Sequence, residues 1–286
     1  PRLPTDRKEG STLFPAADRF PPVTPEADLN ALVEAGDRGA LRARLLEMHP
    51  ADVADFVDEL ADDQRLLVFS LLSNPVAAEV LDEAREDTTE ALVEGTEWSR
   101  LSRVVEELES DDAAELIADL SGDQAEQLLR SMPDSAAREV ASALSYAEDS
   151  AGRLMTTTYA AVRSDRPVGK ALDSVREQIQ RADDIYYVYV VDAAEILVGV
   201  VSLRALVGAP PDIDVGLLCD PDVVRISVRT DQELVAQTMA KYDLLAVPVV
   251  DDDAHLVGMI TIDDAVDVLT EEALEDLLRV SGSFED

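Results

Sequence analysis

Carboxylates with almost no counter-charge crowd one segment near the end of this sequence. From Asp263 to Val280 the chain carries Asp263, Asp264, Asp267, Glu271, Glu272, Glu275 and Asp276 against one basic residue, Arg279. At about 100° per residue of α-helix, Asp264, Asp267, Glu271 and Glu275 fall within roughly 80° of arc. Val266, Leu269, Ala273, Leu277 and Val280 lie opposite and read as the packing face. Like charges four residues apart weaken an isolated helix by about 0.2–0.5 kcal/mol per pair. Two carboxylates ~6 Å apart repel by roughly 3 kcal/mol at an effective dielectric of ~20. A bound divalent cation reverses that sign. Mg²⁺ takes oxygen ligands, keeps several waters and needs only one or two carboxylates, so it can bridge two surfaces without a full protein cage. The competing reading is a solvated acidic face.

Other chemistry finds little support. The two histidines, His49 and His255, stand before a proline at a helix start and in a hairpin turn, where structural roles suffice. There is no glycine-rich phosphate loop and no compelling nucleophile–histidine order, so an enzyme is not expected. The single Cys219 allows no internal disulfide and suits a reducing compartment. A net charge of −37 argues against nucleic acid as a partner, because phosphate binding needs a basic face. That charge is itself ambiguous between a solvated surface and cation collection, so only local clusters bear on function. No run of 18 apolar residues offers a membrane span, and no secretory signal is visible. Starting at Pro1, the chain reads as a fragment or a processed product.

Two segments must position these groups, and both are duplicated. Residues 1–26 hold six prolines and read as an extended or disordered arm. From 27 to 145 the pattern is helical throughout. Ala51–Leu60 aligns with Asp111–Leu120 at a shift of 60, ungapped through Glu79-Val80 over Glu139-Val140. Val53, Phe56, Val57 and Leu60, like Ala113, Leu116, Ile117 and Leu120, take the spacing of one helix face. Repeated hairpins of this kind stack into a superhelix.

After Tyr146, amphipathic helix and β-branched runs alternate. Val162-Arg-Ser-Asp165 matches Val228-Arg-Thr-Asp231. Tyr189-Val-Val-Asp192 and Leu197–Ser202 match Pro248-Val-Val-Asp251 and Leu256–Thr261, and the first copy carries seven extra residues near Arg176–Ile185. Each copy reads strand, helix, strand, strand, helix.

With Leu154-Met155-Thr156 and the two Val-Val-Asp turns, this half resembles a CBS-domain pair, over about 154–269. Tyr146–Thr156, His49-Pro50-Ala51-Asp52-Val53-Ala54-Asp55 and Ile185–Asp192 are similar, in that order, to the junction, helical-domain signature and CBS segment of MgtE magnesium transporters, over about 40–280. The resemblance implies an α plus α/β architecture: a superhelical N domain over 27–145, a CBS pair over 146–269 (repeats about 153–207 and 216–269), and the start of an acidic pore-linking helix over 270–286. It implies a homodimer formed through the CBS pair at the cytoplasmic face of the membrane, and a transmembrane pore domain absent from this chain. It implies regulatory Mg²⁺ held by Asp264, Asp267, Glu272, Glu275 and Asp276 of the last helix. Asp231, Glu233 and Asp243 would contribute from the second repeat, and Asp111 and Asp112 from the helical domain. Asp111 and Asp231 read equally well as helix caps. CBS pairs also take adenine nucleotides such as ATP, with an acid three positions after a Ser or Thr. Thr261 and Asp264 keep that spacing, whereas Ser202 is followed by Ala205, a departure that counts against nucleotide. Tyr187, Arg204 and Thr261 are the candidate contacts. The alternatives are a nucleotide-sensing CBS adaptor with a helical interaction domain, and a plain helical scaffold.

Overall fold

The computed structural model describes residues 26–178 and 187–282. The proline-rich arm, apart from Glu26, and most of the seven-residue insertion lie outside these residues. The chain divides into two compact units, Pro1–Thr96 and Glu97–Asp286.

The first unit holds α1 (Glu26–Ala35), α2 (Arg38–Leu45), α3 (Pro50–Asp58), α4 (Asp62–Leu71), α5 (Asn74–Glu83) and α6 (Glu86–Gly95). The second begins with α7 (Trp98–Val105), α8 (Ser110–Asp119), α9 (Gly122–Ser131) and α10 (Asp134–Ala143). The duplication extends further than its sequence signal. Glu26 and Glu86, Arg38 and Trp98, Pro50 and Ser110, Asp62 and Gly122, and Asn74 and Asp134 open corresponding helices. Helix starts are set locally. His49 caps α3 by accepting the Ala51 N–H at 3.3 Å, with Pro50 in the first turn, where its missing N–H costs nothing. At the equivalent of α4, Gln124 Oε1 accepts the Ser121 N–H at 3.1 Å. The expected apolar faces are buried at Val53, Phe56, Val57, Leu60, Ala113, Leu116 and Ile117, while Leu120 is half-buried.

The rest of the second unit is the α/β pair. Its first repeat runs β1 (Ala160–Arg163), α12 (Val168–Gln178), β2 (Val188–Val191), β3 (Leu197–Val201) and α13 (Leu203–Gly208). Its second runs β4 (Ile226–Ser227), α14 (Gln232–Tyr242), β5 (Ala246–Val250), β6 (Leu256–Thr261) and α15 (Ile262–Gly282). Before both comes the short α11 (Ala151–Leu154). In each three-stranded sheet the first strand pairs parallel with the second and the second antiparallel with the third. This is the expected strand, helix, strand, strand, helix order.

The segments entering the repeats are exchanged. Thr156, just before the first repeat, bridges to Met259 of the second, while Asp220, just before the second, bridges to Val200 of the first. Ala151 and Met155 accordingly sit in the core of the second repeat with Val235, Met239, Val247 and Ile260. The sheets face each other through Tyr189, Val191, Leu197, Ala246, Val250, Leu256 and Met259. Leu197 donates its N–H to the Ala254 carbonyl (3.1 Å) and Leu256 to the Glu195 carbonyl (3.2 Å), tying the two hairpin tips together.

Close backbone crossings make the exchange possible. A Cβ at Gly258 would lie 2.7 Å from the Thr156 carbonyl oxygen and 2.7 Å from Met155 Sδ. Gly258→Ala is therefore expected to lower stability by roughly 1–3 kcal/mol, seen as a fall in the urea midpoint. Gly208→Ala, where nothing lies within 4 Å, serves as the control and is expected to leave the midpoint unreduced.

Candidate cation site between two helices

Two helices far apart in sequence, α8 and α15, carry the groups that come together. α8 is held at its start by Ser110, whose Oγ accepts the Thr157 N–H at 3.1 Å. One turn on, Arg153 of α11 donates from Nη2 to the Ala114 carbonyl at 3.2 Å. α15 begins directly from β6. The Thr261 N–H (3.1 Å) and Thr261 hydroxyl (2.5 Å) both donate to Asp264 Oδ2, a capping arrangement that fixes this carboxylate in the first turn.

This geometry places one ligand atom from each of Asp111, Asp112 and Asp264 within 4.8 Å of one another. Asp111 is only 8% exposed. Its Oδ1 is buried and has no hydrogen-bond partner. At an effective dielectric of ~20, charges this close repel by roughly 3–4 kcal/mol per pair when all are ionised. The electrostatics respond accordingly. Burial first, then Asp112, Asp264 and Glu109, hold the Asp111 carboxyl well above the usual carboxylate range. Burial raises Asp264 to about 6, against the bonds from Thr261 that favour its ionised form. An unpartnered buried oxygen costs stability unless a proton or a cation completes it. Three carboxylates with no sulfur or imidazole form a hard donor set that suits Mg²⁺ or Ca²⁺. Asp111 lies inside the first turn of α8 and is not its cap; Glu109 occupies the cap position.

One turn along, Glu115 of α8 and Asp267 of α15 are exposed to solvent yet partly desolvated. Burial, then Glu271 and Asp119, raise the Glu115 carboxyl; Arg153 opposes that shift and Asp267 adds to it. Burial and Asp263 raise Asp267. Glu115 was absent from the sequence candidates, although its position four residues after Asp111 puts it on the same face of α8.

The candidates around α14 stand at its ends or are exposed. Asp231 caps α14, accepting the Glu233 N–H at 3.1 Å. Glu233 is exposed and accepts from Gln237 at 2.8 Å. Asp243 is exposed and ends α14 in the left-handed conformation at φ 53°. Glu272 is half-buried, and the side chains of Glu275 and Asp276 lie outside the described residues. Tyr187 packs with the apolar cluster between the sheets, Arg204 is exposed on α13, and Thr261 is buried at the start of α15. The packing face of α15 is also not the expected one. Ala265 and Val268 are buried, whereas Val266, Leu269, Ala273 and Leu277 are exposed. Ala265 and Val268 join the core of the second repeat. A second acidic group, Asp251, Asp253 and His255, is a hairpin turn bonded within itself: Asp251 accepts from the backbone of Asp253 and His255 and meets His255 Nδ1 at 2.9 Å.

Comparison with known proteins gives the family. The model for the MgtE intracellular N domain matches residues 48–149, and the CBS-domain model matches 151–212 and 214–271. A crystal structure of the cytosolic domain of the Mg²⁺ channel MgtE in complex with ATP superposes with a TM-score of 0.81 at 37% identity, covering 85% of this chain and 99% of that one. The chain belongs to the MgtE family. The soluble part of a magnesium transporter superposes with a TM-score of 0.78 at 32% identity, covering 87% of this chain and 98% of that one. The magnesium transporter MgtE of Thermus thermophilus is 41% identical over 257 residues, 89% of this chain and 57% of the relative. That of Bacillus subtilis is 32% identical over 255 residues, 89% and 56% respectively. The chain thus spans a little over half the length of those relatives. No helix among the described residues is long and apolar enough to cross a membrane.

The raised pKa of Asp264 fixes a sign. A carboxyl raised from its ordinary 3.8 to about 6 stabilises the fold fully below its unfolded pKa, and this contribution is lost as pH rises through about 6. Without divalent cations, moving from pH 7 to pH 5 is expected to raise the unfolding midpoint, and Asp264→Asn to shrink that gain. Equal gains in both proteins, measured by urea denaturation in EDTA, would contradict the assignment.

Proposed function

We propose that this chain is the cation-responsive regulatory region of a magnesium-transport protein, at the cytoplasmic face of the membrane. The observation that carries it is the buried, unpartnered Asp111 Oδ1 set against Asp112 and Asp264. At high Mg²⁺ the cation offsets the repulsion across α8 and α15, and the two helices close. At low Mg²⁺ the ionised carboxylates push them apart, and α15 is released to act on a transmembrane pore domain that follows it. Occupancy shifts such a two-state balance by RT ln(1 + [L]/Kd), about 1.4 kcal/mol at ten times Kd. Asp267, Glu272, Glu275 and Asp276 of α15, and Asp231, Glu233 and Asp243 around α14, are further acids that such a region would use.

The active form is a homodimer through the CBS pair. Leu234 and Leu245 around α14, with Val266, Leu269 and Leu274 on α15, leave large apolar side chains exposed that a second copy would cover. Small-angle scattering tests the cation response. Millimolar Mg²⁺ is expected to reduce the radius of gyration of the chain, and Asp111→Asn with Asp264→Asn to abolish the change. An unchanged radius in the unaltered chain would sink the proposal.

A second reading rests on the relative solved with ATP. Here the cleft between the repeats takes an adenine nucleotide, with Tyr187, Arg204 and Thr261 as contacts. Calorimetry with ATP separates the two: saturable heat lost in Arg204→Ala supports it, and no heat overturns it.

A further inference from the structure

The two repeats meet at the tips of their hairpins, β2–β3 and β5–β6, and the one histidine of the α/β pair stands at that meeting. The tips are built alike. Asp192 Oδ1 accepts the N–H groups of Ala194 (2.8 Å) and Ile196 (3.1 Å), and Asp251 Oδ1 accepts those of Asp253 and His255 (2.9 Å each). Each turn then holds one residue in the left-handed region, Glu195 at φ 62° and Ala254 at φ 66°. The carbonyls of these two residues accept the Leu256 and Leu197 N–H groups across the pair. At the next position the copies differ. Ile196 and His255 bridge to each other, and of the two only His255 can take up charge.

His255 Nδ1 lies 2.9 Å from Asp251 Oδ2. An ionised carboxylate only accepts, so Nδ1 carries the proton in either state of the ring and Nε2 takes up the second. Acids surround the charge that results. Asp251 and Asp253 belong to its own turn, Asp192 faces it from the other hairpin, and Glu195 stands at that same tip. Arg163 of β1, which also faces Glu195 and Asp192, pairs with Asp165 at 2.7 Å, and Arg229 pairs with Asp252. The Tyr159 hydroxyl donates to the Leu256 carbonyl at 3.1 Å, beside the ring. The Asp251 bond first, then the charges of Asp251, Asp253 and Asp192, raise the imidazole above its ordinary 6.5 against a smaller desolvation effect. The same bond holds the Asp251 carboxyl below its ordinary range.

We propose that His255 is a proton-operated tie between the two repeats. Protonated, it offsets the acids gathered at the hairpin tips and tightens their cross-repeat bonds. Neutral, it leaves Asp192, Asp251 and Asp253 to repel across the junction. Because the folded pKa is raised, the tie is complete below the ordinary 6.5 and is lost as pH rises through the raised value. It acts on the pairing of the repeats and needs no metal ion, which separates it from the α8–α15 contact.

Amide exchange of Leu197 and Leu256, whose N–H groups make the cross-repeat bonds, reads the tie by NMR in EDTA. At about pH 5.5 both amides are expected to be about two- to fivefold better protected in the unaltered chain than in His255→Gln, and at about pH 8.5 the two proteins are expected to match. His255→Arg, charged at both values, is expected to keep its protection at both. The His255 ring is expected to titrate above 6.5 and to fall back towards it in Asp251→Asn, which keeps the Oδ1 acceptor of the turn. Titration at or below 6.5 would overturn the proposal. Equal protection in the unaltered chain and His255→Gln at about pH 5.5 would do the same, since any general effect of acid acts on both proteins.

Discussion

Carboxylates brought together in a partly dry contact cannot all stay ionised without company. Asp111 loses hydration on burial, gains no hydrogen bond at Oδ1 and faces Asp112 and Asp264. Each effect alone costs on the order of 1–3 kcal/mol, comparable to a large fraction of a domain's net stability. A contact built this way is held near balance. Protonation relieves the repulsion and ionisation restores it. Such a balance is what a switch requires, and a contact of leucines would lack it.

The architecture around the contact supports that balance by being rigid elsewhere. The exchanged entry segments lock α11 into the core of the second repeat, and α15 grows directly out of β6 of the same repeat. Both the helix carrying Asp264 and the short helix carrying Arg153 are thus set by one core. α8 meets that core through Ser110 and through its Ala114 carbonyl, polar contacts that water can replace.

Fold and site were legible to different depths. The 60-residue helical duplication was readable over α3–α5 and α8–α10, where apolar spacing repeats, but not over α1, α2, α6 and α7, where only helix boundaries are shared. Within the site, Asp111, Asp112 and Asp264 were among the sequence candidates, but so were Asp231, Glu233 and Asp243, which the fold uses at helix ends or leaves exposed. A carboxylate has the same letter whether it caps a helix or faces another acid.

The sequence by itself determined the local elements and their duplication, because helix period, strand alternation, caps and turns depend on neighbours in the chain. It determined too that α15 bears a carboxylate stripe. Only the tertiary structure decided which side of α15 packs and that α15 meets α8. Those outcomes depend on the direction in which helices leave their sheets and on desolvation at the contact, and neither is encoded in the spacing of residues along one helix.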